Sequence, residues 1–122
     1  MQEEHRRSSS TQRGGHLARS YPSRSFALMD SMGDWVISTF FGFGSNNCSQ
    51  FAVLAETTFA AGLLDIRGQM TEFSNFGSFL FPGTNHTTLL DGARFDGLTA
   101  GGTQLTQYLT SLLAGQVTNA GP

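Results

Sequence analysis

At 122 residues the chain has room for one domain. Seven basic against nine acidic residues leave a net charge of −2, which excludes the strong cationic field of a nucleic-acid binder and the profile of an acidic tail. A single cysteine excludes an internal disulfide framework.

Residues 1–20 are polar and rich in Ser, Arg and Gln. Arg6, Arg7, Arg13, Arg19 and Arg24 are five of the seven cations, all before the first expected strand, and lysine is absent. So little apolar surface predicts a disordered leader. Its arginines suit phosphate or anionic lipid, against the plainer readings of a solvated end or the out-of-frame edge of a reading frame. No apolar core follows them, so this is no secretory signal peptide, and Glu3 and Glu4 speak against a transit peptide. No run reaches the length of a membrane span.

Tyr21-Pro22 marks the entry to the ordered part, residues 21–122. A strand is expected near 25–29, followed by a loop through Gly33 and a short helix from about Trp35 to Phe43. Gly42, Gly44 and Asn46-Asn47 end that helix. Residues 49–72 form the longest amphipathic run, with Phe51, Leu54, Ala55, Phe59 and Leu63 at helical spacing. A second strand covers 76–81, residues 89–102 read as loop, and a last helix spans 103–114 with Gly115 as its cap. The order β-α-α-β-α predicts an α/β fold with two parallel strands and flanking helices. Two such strands need edge partners, and eleven phenylalanines add a large apolar load.

Chemistry concentrates at two turns. Pro82-Gly83-Thr84-Asn85-His86-Thr87 follows the second strand and aims one of only three histidines off its end. Upstream, Asp34 stands where a helix begins. It is either a plain N-cap or the acid of a catalytic pair, and Asp30 competes for that second role. A strand ending in Asp, a helix, and a parallel strand ending in His is the way α/β-hydrolases deliver the last two members of a Ser-Asp-His triad. Against this, His86 also reads as an exposed turn histidine. Trp35 reads either as a pocket wall or as core, and Phe40, Phe41 and Phe59 as packing. Cys48, in a polar loop without a neighbouring base, reads as a plain thiol. No Cys/His cluster has metal-ligand spacing, so neither metal nor cofactor is expected.

These segments together resemble the C-terminal part of the pectin acetylesterase/Notum-like carboxylesterases, especially their bacterial secreted relatives. Asp34 and Val36 with Phe40, Phe41 and Gly42 match the acid-bearing helix of that family. Pro82, Gly83 and His86 match its Pro-Gly-x-x-His turn, and Leu112-Leu113-Ala114-Gly115 its closing helix. The likeness covers about residues 21–120. It implies the C-terminal portion of an α/β-hydrolase domain, with Asp34 as triad acid and His86 as base. It also implies an ester substrate such as acetylated polysaccharide, and an extracellular location. The chain departs from the family in one respect. No serine has a glycine two positions before it, and Ser31, the nearest match, has Met29 there. Nucleophile and oxyanion loop are both lacking, so the chain is expected to be inactive alone and to need an N-terminal part of the domain. The alternative is a non-catalytic α/β interaction module or degenerate fragment.

Overall fold

The computed structural model describes residues 9–88 and 91–122. Ten elements follow in order: α1 (Ser9–Ser20), β1 (Phe26–Ser31), α2 (Trp35–Ser45), α3 (Glu56–Met70), β2 (Phe76–Phe81), α4 (Gly92–Gly97), β3 (Thr99–Ala100), β4 (Thr103–Gln104), α5 (Leu105–Leu113) and β5 (Asn119–Ala120). Strands β1, β2 and β5 form one parallel sheet in the order β1-β2-β5, while β3 and β4 make a small antiparallel pair.

Strand β2 is the centre of the molecule. Its residues alternate between the two faces, and each face receives its own core. Phe79 and Phe81 pack with Ala100, Leu105, Tyr108 and Ala120 on one side. Leu80 packs with Phe59 and Leu63 of α3 on the other, joined by Leu28 and Ile37. The result is a mixed α/β layer structure, with the parallel sheet covered by helices on both faces.

The sheet has three strands where the sequence suggests two. The third, β5, is too short to show periodicity and is held by its neighbours instead. Arg67 donates from Nε to Ser78 Oγ at 2.8 Å and from Nη2 to the Ala120 carbonyl at 2.6 Å, and its Nη1 reaches the Pro122 carbonyl. Ser78 Oγ donates in turn to Asn119 Oδ1 at 2.8 Å. Gly77 permits this approach, because a Cβ there would lie 2.3 Å from the Thr118 carbonyl oxygen.

The expected disordered leader also needs correction. Its first eight residues lie outside the described residues, but the remainder forms helix α1. Composition misled because this helix packs with small residues rather than large ones. Ala18 is buried, and Gly14 and Gly15 let the backbone approach Met70, Phe73 and Phe76. Asn75 Nδ2 donates to the carbonyls of Ala18, Tyr21 and Arg24 at 3.0–3.2 Å, which ties the end of α1 to the start of β2. Arg19 lies 5.4 Å from the centre of the Phe73 ring.

The expected helix over 49–72 is shorter, because its first part runs outside any helix beside α2. The Leu54 N–H donates to the Ser38 carbonyl at 3.2 Å, and a Cβ on Gly42 would collide with the Ala52 carbonyl. The expected loop over 89–102 holds α4, capped by Asp91 accepting from the Arg94 N–H at 3.2 Å; residues 89 and 90 lie outside the described residues.

Two glycine substitutions check this packing. Gly77→Ala should destabilise by about 1–3 kcal/mol through the clash with the segment before β5. Gly62→Ala, in the interior of α3 with open space around it, should stabilise by about 0.5–1 kcal/mol. Urea unfolding of both variants distinguishes the outcomes, and a neutral Gly77→Ala would contradict the close approach.

Candidate active site

Strands β1 and β2 pair in register from Phe26↔Phe76 to Ser31↔Phe81, which places Asp30 beside Leu80. The pairing continues beyond the strands. The Met32 N–H donates to the Phe81 carbonyl at 2.7 Å, the Gly33 N–H to Gly83 at 2.9 Å, and the Trp35 N–H to Thr84 at 3.2 Å. Buried Ser31 adds a side-chain stitch, its Oγ donating to the Asn85 carbonyl at 2.6 Å. The two loops are thereby held together residue by residue. Gly83 has φ +114°, the left-handed backbone that glycine adopts without a steric penalty, and a Cβ on Gly33 would press on the Gly83 carbonyl at 2.9 Å.

This zipper brings together the two residues that the sequence singles out. Asp34 Oδ2 lies 2.8 Å and Oδ1 3.1 Å from His86 Nδ1. Asp34 is also the N-cap of α2, with Oδ1 accepting from the Ile37 N–H at 2.9 Å. The cap and the acid, rivals as sequence readings, are one carboxylate with two contacts. Its side chain is 2% exposed against 39% for His86, so a buried acid faces an imidazole open to solvent. With Nδ1 committed to Asp34, Nε2 is the ring nitrogen left to take up a proton.

Asp30, the rival acid, is near but in a different place. Its Oδ1 accepts the Ser31 N–H at 2.8 Å, whereas it is Asp34 that pairs with His86 Nδ1. Burial pushes Asp30 up to about 7, reinforced by the hydrogen bond to Asp34 and repulsion from it; the Ser31 N–H and His86 pull the other way. Burial works against the charge on Asp34 as well. There the Ile37 N–H, the Asp30 carboxyl and His86 together outweigh it and hold the carboxylate below its usual range.

Asp30 and His86 also line a cleft of ≈ 620 Å³ whose other walls include Met29, Phe81, Phe95 and Leu109. Sequence reading did not find this cleft, since its walls come from two strands and two helices of unrelated sequence. Trp35, Phe40 and Phe41, expected as pocket wall or packing, are each more than half exposed. Helix α2 turns Ile37, Ser38 and Gly42 inward, and Phe41, though half exposed, still reaches buried Phe59 with ring centres 6.2 Å apart. Phe59 is buried as expected, and Cys48 is an exposed free thiol. Among the described residues no three His, Cys, Asp or Glu side chains are placed to hold a metal ion, and no described helix is long and apolar enough to cross a membrane.

Compared with family models, curated proteins and solved structures, the chain matches none.

Asp34→Ala should cost about 1 kcal/mol through loss of the cap alone, whereas Asp34→Asn keeps an acceptor for the Ile37 N–H. The lowered pKa also sets a pH dependence. The stability that Asp34 contributes is present above its unfolded value of 3.8 and is lost as pH falls through the lower folded value. Thermal unfolding below pH 4 should therefore fall more steeply in the wild type than in Asp34→Asn; parallel curves would contradict the Asp34 contacts.

Proposed function

We propose that this chain is the acid–base part of a serine carboxylesterase, similar to the C-terminal portion of the pectin acetylesterase/Notum-like enzymes. The observation that carries this reading is the 2.8 Å contact between buried Asp34 and solvent-open His86 at the shared end of two parallel strands. In such a pair the acid fixes the imidazole with its proton on Nδ1 and stabilises the cation that forms. Nε2 takes the proton from a serine hydroxyl as its oxygen attacks the ester carbonyl. The same nitrogen returns that proton to the departing alcohol when the carbon–oxygen bond breaks. The apolar walls of the cleft lined by His86 suit an acyl group, and the resemblance makes acetylated polysaccharide in the extracellular space the leading substrate class.

This reading requires a serine and oxyanion donors from a further part of the domain, since no serine here has a glycine two positions before it. Two surface features fit a further part of the domain packing here. One is the edge of β1 away from β2, which has no partner strand among the described residues. The other is the apolar surface of α2 and the loop after it, where Trp35, Phe40, Phe41, Phe51 and Val53 are all more than half exposed. A non-catalytic interaction module would use the same surface, but it has no need of a buried carboxylate against an imidazole.

The purified chain should hydrolyse p-nitrophenyl acetate no faster than its His86→Ala variant. Joined to the segment read in frame upstream, which should carry a Gly-x-Ser-x-Gly elbow, it should hydrolyse esters and lose about 10⁴-fold in kcat on Asp34→Asn. An active joined enzyme indifferent to Asp34→Asn would sink this reading.

A further inference from the structure

Helix α2 is apolar on every side. Ile37 packs into the core with Leu80 and Phe59, and Phe41 leans on the Phe59 ring with centres 6.2 Å apart. Phe43 stacks on Phe51 of the following loop at 4.4 Å. Trp35 and Phe40 are left outside, as are Phe51 and Val53, and all four are more than half exposed. A helix with apolar side chains round its whole circumference is ordinarily a buried one, so this face is built to be covered.

Three observations bear on what covers it. The first is charge. From Trp35 to Ala55 the chain has no Asp, Glu, Lys or Arg. In a two-fold contact a surface meets itself, so a charged face opposes its own copy; this face carries no such penalty. Nor does it offer the Lys or Arg that helices lying on membranes present to lipid headgroups. The second is area. Trp35, Phe40, Phe41 and Phe51, of a type that buries about 150–250 Å² each, combine with Val53 to expose on the order of 500 Å² of apolar surface. Two copies face to face bury about 1,000 Å² from these side chains alone, the size at which specific interfaces begin. The third is rigidity. The Leu54 N–H donates to the Ser38 carbonyl at 3.2 Å and the Cys48 N–H to the Phe43 carbonyl at 2.9 Å, while Asn46 Nδ2 donates to the Gly42 carbonyl at 3.0 Å. With the loop already tied to the helix, little further ordering is lost when a partner arrives.

We infer that this face is a homodimer interface: two copies of the chain pack α2 and its loop against each other about a two-fold axis, with Trp35, Phe40 and Phe51 as anchors. Large aromatic side chains are the usual carriers of binding energy in such a patch. The interface is modest, so a dissociation constant on the order of micromolar is expected. The inference stands apart from the esterase reading. That reading seats a further part of the domain on the same face, so the dimer is the form of the chain without that part, and the two exclude each other.

The test is sedimentation velocity of the 122-residue chain with Cys48 kept reduced, from about 1 to 100 µM, a range that brackets the expected constant. The wild type should pass from monomer to dimer over that range. Phe40→Glu or Phe51→Glu should weaken association at least about tenfold. Leu113→Glu, at an 89% exposed position on α5, should leave it unchanged. A nitroxide on Cys48, the single cysteine, gives an independent reading without altering the patch. Pulsed electron paramagnetic resonance should then show one narrow distance below about 40 Å, because the label sits in the loop after α2, whose 11 residues span about 16 Å. A chain that stays monomeric at the highest concentration overturns the inference. So does a dimer that survives both glutamates, or a broad spread of distances, the mark of unspecific aggregation. A monomer that instead floats with phosphatidylcholine vesicles assigns the face to lipid and overturns it as well. None of these results bears on the Asp34–His86 pair, whose tests are read on the histidine ring and on ester hydrolysis.

Discussion

The parallel pairing of β1 with β2, carried on by the backbone past the last residue of each strand, is the constraint on which the site depends. A carboxylate and an imidazole on two separate loops would each sample many positions, and a single hydrogen bond of about 1 kcal/mol net would not hold them together. Here three backbone hydrogen bonds and the Ser31–Asn85 stitch remove that freedom before the side chains meet. The ordering is supplied by the sheet, and the sheet is supplied by β2, buried on both faces between two apolar clusters. What remains for Asp34 and His86 is a contact between groups already in place, the condition for a preorganised acid–base pair.

Asp34 shows how economically such a site is built. One carboxylate ends a loop, caps a helix and holds an imidazole. The helix N-terminus behind it supplies both a hydrogen bond and a favourable dipole for its charge. The cost of burying that charge is offset by these contacts and by His86.

Much of the central layer was legible in the sequence. The run from Phe76 to Phe81 gives the bounds of β2 directly, since a phenylalanine-rich hexamer ending at Pro-Gly leaves few other readings. The turn motif and the helix-starting acid mark His86 and Asp34, and the structure brings the two together. Strand β1 runs two residues beyond its expected end because Asp30 and Ser31 pair with Leu80 and Phe81; polar side chains there looked like loop. Helix α1 was hidden because its contacts use Gly14, Gly15 and Ala18, which hydrophobicity patterns do not register. Strand β5 was hidden because its order comes from Arg67, Ser78 and the bare backbone of Gly77. In each case the missing information lay in a partner distant along the chain.

The most direct measurement of the central claim is the protonation of the His86 ring near neutral pH, from long-range ¹H–¹⁵N correlation of labelled histidine, with a His86→Gln variant to assign the signals. The account predicts that the neutral ring of the wild type carries its proton on Nδ1, with that preference lost in Asp34→Asn. A ring protonated on Nε2 in both proteins, the tautomer that free histidine favours, would contradict it.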